Sequence, residues 1–394
     1  MNQPPATPPA PGTLSLEIAP GEEEQLQRVL QQARQLQGTS LAQDAWRRLM
    51  KNRVARWSLW YLAVLALLAL LAPLLPLQPP RWVDTARQFQ GPSLAVVWLP
   101  AAPRQGQAPG GKQSPREATP GLDDPAIRQG FGPLGPLGRG LLRLRLAVFG
   151  RWCIPSLCGT DNLGRDLLSR LFWGARVSII VALVATGVSL LIGVTYGAVA
   201  GYVGSWVDNI MMRVVDVLYS IPFIFVVILL ITVLSQEEIK SWLMEHGIDR
   251  ITIFYFVVGA IYWLTMARVV RGQVISLKNE PFIEAARSLG AGRLRVVFGH
   301  LVPNLMSVVV VYLTLTIPRV MLFEAFLSFL GLGVEPPDVS WGLLANEGLK
   351  AITPVRIYWW LVLFPSLALG ATLLALNFLG DGLRDALDPK LKNR

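Results

Sequence analysis

Six apolar runs of 17 to 26 residues constrain the fold of this chain more than any other feature. An α-helix needs about 20 predominantly apolar residues to cross the ~30 Å hydrocarbon core of a bilayer. Inside lipid the backbone N–H and C=O groups must bond to one another, and a helix satisfies them within one segment. The sequence therefore predicts an all-α polytopic membrane protein with six transmembrane helices. They cover residues 57–77, 177–200, 211–234, 251–267, 305–330 and 357–379.

The composition places the chain in the membrane class, since 52% of its residues are hydrophobic and 16% are charged. A formal net charge of +10 would also fit a nucleic-acid-binding protein. However, the basic residues flank the apolar runs instead of alternating with aromatic ones, which favours contact with anionic lipid over nucleic acid. Two cysteines and two histidines, scattered along the chain, are too few for a zinc site.

Basic residues are distributed unequally between the two sides of the predicted helices. One side carries both termini and the loop of residues 272–303, and its short segments are rich in Lys and Arg. The two short loops opposite hold Lys240, Arg250, Lys350 and Arg356. The positive-inside rule therefore predicts that both termini and the 272–303 loop are cytoplasmic. The long segment 78–158 does not count, because long loops cross the membrane largely regardless of charge.

These assignments divide the chain into five parts. Residues 1–56 form a cytoplasmic tail, and residues 57–77 form the first transmembrane helix. Residues 78–158 form a Gly/Pro-rich extracytoplasmic insertion, residues 159–380 the transmembrane core, and residues 381–394 a second cytoplasmic tail.

The N-terminal tail ends in a basic amphipathic segment, Trp46–Arg53, which we expect to lie along the inner leaflet. No secretory signal peptide is expected, because the first strongly apolar run begins near Trp57.

Two features of the insertion bear on chemistry. Gly106–Lys112 nearly matches a phosphate-binding P-loop, but Gln113 follows the lysine in place of Ser or Thr, and no strand–turn–helix pattern surrounds it. We therefore exclude a nucleotide site there. Cys153 and Cys158 could form a local disulfide outside the cytoplasm. A bridge and two free thiols stay open as alternatives.

The stretch Pro281–Asn304 is a polar interruption between two apolar runs and predicts two short helices joined at Gly290. Asn279 is expected to cap the first helix, with Pro281 in its first turn, where the missing N–H would be unbonded anyway. Gly290 can end that helix in a left-handed conformation without a Cβ clash. The second helix is expected to bury one apolar stripe. The stripe consists of Leu294, Val297, Phe298 and Leu301.

Four charged residues precede the second transmembrane helix and predict surface ion pairs on an amphipathic helix at the outer interface. They are Arg165, Asp166, Arg170 and Arg176. Arg213 and Asp216, three residues apart, are predicted to pair. Glu324 is costly in lipid and is predicted to face protein as a helix-packing residue. Three glycines at four-residue spacing predict close packing between helices. They are Gly193, Gly197 and Gly201.

Three motifs resemble those of ATP-binding-cassette importer permeases. The first is the EAA motif in the 272–303 loop. It consists of Glu284, Ala285, Ala286, Gly290, His300 and Pro303. The other two are Gly159–Arg170 and Glu324–Gly333, which are similar to the second-type (C-type) permease of the peptide/nickel subgroup. The resemblance covers roughly residues 40–78 and 157–390.

The resemblance implies a MetI-like core of five transmembrane helices plus one N-terminal helix. It also implies that the 272–303 loop is a coupling helix that docks on a separate ATPase subunit. The implied partners are a second permease subunit, two ATP-binding ATPase subunits and an extracytoplasmic solute-binding protein. The chain itself would be no enzyme and would bind no cofactor, since ATP and Mg²⁺ belong to the ATPase subunits. The implied setting is the bacterial inner membrane, and the implied substrate is a di- or oligopeptide.

Three alternatives remain open on the sequence. A nickel or glutathione permease of the same family shares these motifs. A secondary transporter driven by an ion gradient would carry paired broken helices and midplane ionisable residues, and the predicted span centres lack such residues apart from Glu324. A loop that merely lies on the membrane interface would explain the polar interruption without any partner.

Overall fold

The computed structural model describes residues 41–99, 121–122, 124–234, 236–246 and 250–387. The P-loop-like stretch 106–112, most of the N-terminal tail and the end of the C-terminal tail lie outside these residues.

The described chain begins with two helices, α1 (Leu41–Lys51) and α2 (Arg53–Leu70). The Asn52 side chain accepts hydrogen bonds from the N–H groups of Val54 and Ala55, at 3.1 and 3.3 Å. A side chain that caps in this way starts a new helix. The first apolar helix therefore begins at residue 53, ahead of the predicted start at residue 57.

The insertion contains regular structure in its described part. In chain order it holds a 3₁₀ turn (Thr85–Arg87), β1 (Val97–Trp98), α3 (Pro125–Phe131), α4 (Pro136–Phe149) and β2 (Trp152–Cys153). The two strands pair antiparallel. Both helices begin with proline and are followed by glycine. Proline is tolerated in the first turn, where its missing N–H would have no partner, and glycine allows the backbone to turn sharply after the helix.

Arg145 on α4 ties the insertion to the segment that follows α2. Its fully buried side chain donates from Nε to the carbonyl of Leu75 at 3.0 Å and from Nη2 to that of Leu77 at 2.9 Å. Beside it lies a small apolar core. This core consists of Leu99, Ile127, Phe131, Leu142, Leu146 and Cys153. The described part of the insertion is thus a folded module.

The helix α5 (Leu167–Val203) is 37 residues long and contains the predicted second transmembrane helix. Asp166 caps it, because its Oδ2 accepts a hydrogen bond from the N–H of Ser169 at 2.8 Å. The cap explains why the helix begins at residue 167, ahead of the predicted start at residue 177.

The predicted third transmembrane helix is broken. Its two parts, α6 (Ser205–Ser220) and α7 (Phe223–Leu234), meet at 83°. Pro222 lies in the break, where a proline lacks the N–H that a continuous helix needs. A short helix, α8 (Glu237–Glu245), follows where a polar loop was predicted.

The next two helices contain the first part of the 272–303 loop. The first, α9 (Arg250–Leu277), extends past the predicted end of the fourth transmembrane helix at residue 267. After three residues, α10 (Pro281–Ser288) forms the first of the two short helices that were predicted.

The second predicted short helix is not a separate element. A short α11 (Arg293–Arg295) and a π-helical turn (Val296–Leu301) lead directly into α12 (Val302–Phe329). Together they make one apolar helical run of 37 residues. Pro303 lies where the π-helical turn ends and α12 begins.

Two more helices complete the described chain, α13 (Trp341–Lys350) and α14 (Trp359–Leu387). Ser340 caps α13 and so turns part of the predicted outer loop into a helix. Within the described ranges, five helices are long and apolar enough to cross a membrane, and the bent α6–α7 pair makes a sixth if it counts as one span. The all-α polytopic fold class is confirmed.

The predicted glycine row brings α5 and α9 together. A Cβ on Gly193 would lie 2.6 Å from the Cβ of Met266, and one on Gly201 would lie 2.8 Å from the carbonyl oxygen of Arg271. Gly197, between them, faces the α9 backbone equally closely. Any side chain on this row would push the helices apart, so the interpretation as a packing motif is confirmed.

Candidate functional site

The first half of the 272–303 loop folds as predicted in outline but is capped differently. Pro281 occupies the first turn of α10, as expected. The capping position is Glu280 and not Asn279, and the Glu280 side chain makes no capping hydrogen bond. Glu284 lies in the first helical turn, where the helix dipole stabilises its negative charge.

Gly290 ends α10 in the way the sequence predicts. Its φ of +84° is left-handed, a conformation that costs other residues roughly 1 kcal/mol or more. The N–H of Gly290 donates to the carbonyl of Arg287 at 2.9 Å, and that of Ala291 donates to the carbonyl of Ala286 at 3.0 Å. This pair of bonds is a Schellman motif. A Cβ at Gly290 would have open space, so the backbone alone favours glycine here.

One face of α10 is fixed to the transmembrane body. Ile283 is fully buried and Ala286 nearly so. The guanidinium of Arg287 lies 5.2 Å from the centroid of the Tyr202 ring on α5. Ile283 belongs to a core cluster that joins four helices and the π-helical turn. Its other members are Val194, Ala198, Met266, Val270, Val274, Val296, Val297, Leu301, Leu305 and Val309.

The predicted apolar stripe of the second half is wrong in two of its four positions. Val297 and Leu301 are buried, but Leu294 is 73% exposed and Phe298 is 45% exposed. Val296 is buried in their place. The π-helical turn accounts for the change, because its wider turn alters which side chains face the core.

The exposed face of the loop is apolar as well as charged. Glu284 and Ala285 are exposed, and Leu289 is 89% exposed beside them in sequence. Phe282, Leu294 and Phe298 are exposed as well, so together with Leu289 four large apolar side chains lie uncovered on this loop. Apolar patches of this kind on otherwise polar segments mark interaction surfaces.

The remaining residues of the predicted motif lie where the loop joins α12. His300 is half-buried, and its carbonyl accepts a hydrogen bond from Nδ2 of Asn304 at 2.6 Å. Pro303 is exposed. The structure therefore places the six residues of the motif along one continuous segment from α10 to the start of α12.

A buried charge cluster lies elsewhere in the protein and was not predicted. Its four members are Asp161, Arg165, Arg170 and Glu347. Asp161 Oδ2 lies 2.6 Å from Nε of Arg165 and 2.6 Å from Nη1 of Arg170. Glu347 on α13 lies 2.5 Å from Arg170 and 3.3 Å from Arg165. Two arginines and two carboxylates thus connect the start of α5 to α13.

The predicted surface ion pairs in this region are wrong. Arg170 is 1% exposed, and Arg165 precedes the helix instead of lying on it. Asp161 lies four residues before Arg165 in a loop, and Glu347 lies 177 positions from Arg170, so helical spacing could not identify Glu347. Asp166 makes the cap described above, and burial raises its pKa to about 7.

Two more polar predictions have different outcomes. Asp216 pairs with Arg268 at 2.8 Å and not with Arg213, so that prediction is wrong. Glu324 is fully buried, as predicted, and its carboxylate accepts hydrogen bonds from Ser178 at 3.1 Å and Ser328 at 2.8 Å. Two serine hydroxyls, one on α5 and one on α12, thus satisfy this carboxylate.

The structure holds Cys153 and Cys158 as free thiols, the second of the two alternatives. Both are buried, in separate core clusters. Burial raises the pKa of each thiol to about 11, so both stay protonated at neutral pH. Among the described residues no group of three or more His, Cys, Asp or Glu side chains could hold a metal ion.

Comparison with known proteins places these features in a family. The family described as "Binding-protein-dependent transport system inner membrane component" matches residues 193–393. The family described as "N-terminal TM domain of oligopeptide transport permease C" matches residues 40–92.

Individual relatives agree with the family matches. The dipeptide transport system permease protein DppC of Bacillus subtilis is 45% identical over 234 residues, which are 59% of this chain and 68% of that protein. The oligopeptide transport system permease protein OppC of Haemophilus influenzae is 45% identical over 232 residues, 59% of this chain and 70% of that protein. The glutathione transport system permease protein GsiD of Pectobacterium atrosepticum is 40% identical over 235 residues, 60% of this chain and 73% of that protein.

Proposed function

We propose, since the chain belongs to the family of binding-protein-dependent transport system inner membrane components, that it is the C-type permease subunit of an ATP-driven importer of di- and oligopeptides. As a member of that family it is a multi-pass inner membrane protein and not itself an enzyme. The observation that carries the proposal is the 272–303 loop, which buries one face in the transmembrane body and leaves an apolar face uncovered. The peptide assignment rests on the relatives named for dipeptide and oligopeptide transport.

The proposed importer contains four kinds of subunit. This permease pairs with a second permease, two ATPase subunits bind ATP and Mg²⁺, and an extracytoplasmic protein delivers the peptide. Both termini and the 272–303 loop are cytoplasmic, while residues 78–158 lie on the other side. The distribution of basic residues supports this orientation.

Thiol labelling tests the orientation. Leu94 in the insertion is 82% exposed and Leu289 in the loop is 89% exposed, so a cysteine at either site is accessible. In intact cells with a permeabilised outer membrane, a membrane-impermeant maleimide should label Leu94→Cys and spare Leu289→Cys. The unaltered protein gives the background, since its own two thiols are buried. The reverse pattern would invert the topology and remove the loop from the ATPase side.

The loop can transmit force because its buried face is stiffly held. Ile283 packs in a cluster that includes residues of α5, α9 and α12. Closely packed interiors move as discrete bodies rather than deforming continuously. When the ATPase subunits close on ATP, a load on α10 therefore passes to three transmembrane helices at once, and these switch between inward-open and outward-open arrangements.

The central experiment removes the uncovered face without touching the buried one. In the complex reconstituted in liposomes, Leu289→Ser should weaken binding of the ATPase subunits by about thirtyfold, or roughly 2 kcal/mol, because interfaces concentrate their energy in few residues. Glu284→Lys should act in the same direction and more mildly. ATP hydrolysis stimulated by loaded binding protein should fall with binding, while membrane insertion stays intact.

The matched control is Val355→Ser, because Val355 is also 89% exposed but lies between α13 and α14, away from the loop. It should retain ATPase binding and stimulation. Full stimulation and peptide uptake in both loop variants would show that residues 281–303 are an interfacial loop. Uptake that needs an ion gradient and no ATP would instead identify a secondary transporter.

Glutathione is the second candidate substrate, favoured by the relative named for glutathione transport. The same liposomes decide between the substrates when each is supplied with its binding protein. Uptake of glutathione in preference to dipeptides and longer peptides would replace the peptide assignment but leave the permease assignment in place.

A further inference from the structure

A cavity of about 250 Å³ opens where the broken third span meets α9 and α12. Tyr219 and Phe223, which flank the break between α6 and α7, both line it. Broken helices at membrane depth are tolerated where they line a cavity, and in transporters such cavities hold substrate. The volume is slightly below the roughly 300–1,000 Å³ of most small-ligand pockets, so it has room for one end of a peptide.

Arg319 gives this cavity a positive charge. It lies within α12, ten residues before the end of that helix at Phe329, and it is exposed. No carboxylate of the described residues pairs with its guanidinium. An unpaired cation inside an apolar span is expensive and points to a functional partner. Glu324, on the same helix, shows the contrast, since serine hydroxyls satisfy it completely.

Hydroxyl groups surround the arginine. Tyr262 donates a hydrogen bond to the backbone carbonyl of Arg319 at 3.2 Å, and both residues line the cavity. Tyr219, Thr265 and Thr316 contribute further hydroxyls to the lining. Hydroxyls both donate and accept hydrogen bonds, so they can serve the N–H and C=O groups of a peptide of any sequence. Arginine, in turn, binds a carboxylate through two parallel N–H donors.

We propose that this cavity is a peptide-binding subsite on the transport path, in which Arg319 binds the C-terminal carboxylate of the peptide. The hydroxyl groups bind the adjacent peptide bonds, and side chains of different kinds extend into the open part of the cavity. The subsite therefore selects a free C-terminus and not a sequence. The inference rests on the proposed function, because it requires that a peptide passes through this protein.

The first test compares two forms of one peptide in the complete reconstituted importer, one with a free C-terminus and one amidated, both at saturating loaded binding protein. Unaltered protein should carry the free form at least tenfold faster than the amidated form. Arg319→Gln should lower uptake of the free form at least tenfold and abolish the preference, while Arg319→Lys should stay within about threefold of unaltered protein. ATP hydrolysis stimulated by loaded binding protein should persist in all three.

The control is Arg213→Gln, which removes an exposed arginine of α6 that does not line the cavity. It should leave uptake and the preference unchanged. If Arg319→Gln carries the free form as fast as unaltered protein and keeps the preference for it, the subsite is wrong and the permease assignment stands. If unaltered protein shows neither uptake nor stimulation, the proposed function itself fails.

A second measurement does not depend on Arg319→Gln folding. A cysteine replacing Thr316 lies in the cavity, whereas one replacing the exposed Ser307 on the same helix does not. In the complex trapped with vanadate and loaded binding protein, the free peptide should slow maleimide labelling of Thr316→Cys at least fivefold, the amidated peptide should not, and Ser307→Cys should be unaffected. Equal labelling of Thr316→Cys with and without the free peptide would overturn the proposal.

Discussion

The 272–303 loop and the buried charge cluster distribute their side chains in opposite ways. The loop leaves large apolar groups such as Leu289 and Leu294 in water, and the cluster places Arg170 and Asp161 out of water. Covering exposed apolar groups with a partner is favourable, so the loop has the character of an interaction surface. The buried charges already pair with one another, so the cluster is a fixed joint between α5 and α13.

The two regions also differ in how they tolerate change. Removing one member of a buried ion cluster leaves an uncompensated charge in a low-dielectric interior, which is costly. Removing an exposed apolar side chain changes little until the partner binds. The loop should therefore be sensitive in assembly and the cluster in folding, and three predictions test this contrast in order of expected effect.

The largest effect is expected at the buried charge cluster. Arg170→Met should lower the free energy of unfolding by about 3–5 kcal/mol, because one of the two arginines that neutralise Asp161 and Glu347 is then lost from a buried site. Denaturant titration in detergent, followed by tryptophan fluorescence, measures the change. Arg356→Met, at an exposed arginine in the segment before α14, is the control and should stay within about 0.5 kcal/mol. A loss below 1 kcal/mol for Arg170→Met would mean that the cluster is not a joint.

A smaller loss of stability is expected when the buried face of α10 is altered. Ile283→Ala should lower the free energy of unfolding by an amount near the lower end of the roughly 2–5 kcal/mol range, because α10 is short and can settle into the gap. Stimulation of ATP hydrolysis should fall as well, since α10 would no longer be held rigidly enough to transmit force to the transmembrane helices. Leu289→Ala is the comparison variant and should reduce stimulation without reducing stability. Equal losses of stability in both variants would show that α10 does not have a separate buried face for anchoring and an exposed face for docking.

The effect expected to be smallest at neutral pH is the contribution of Asp166, next to the cluster, to the pH dependence of stability. Burial raises the pKa of Asp166 from 3.8 to about 7, so the folded protein retains a proton that the unfolded chain releases. The stabilising contribution is complete below pH 4 and declines as the pH rises through 7. Asp166→Asn keeps a capping oxygen and should flatten the unfolding free energy between these limits. A rise in stability toward pH 7 in the unaltered protein would contradict the assignment.

The sequence predicted the parts of the candidate site that depend on local backbone chemistry. Pro281 at the start of α10 and Gly290 at its end follow from a missing N–H and a left-handed φ, which no neighbour needs to supply. The apolar stripe failed at Leu294 and Phe298, because the π-helical turn shifts the register and nothing in the hydrophobic period announces it. The cavity around Arg319 was also missed, since its lining comes from four helices that are distant in sequence.

The sequence by itself determined that this is an all-α membrane protein and where most of its apolar helices lie. These conclusions follow from segment length, helix period and residue type, which are properties of short stretches. The tertiary structure decided which charges meet, since Arg170 finds Glu347 177 positions away. It also decided that Arg145 fastens the insertion and that the third span breaks at Pro222. Such contacts depend on how whole helices pack, and packing joins residues that no local pattern relates.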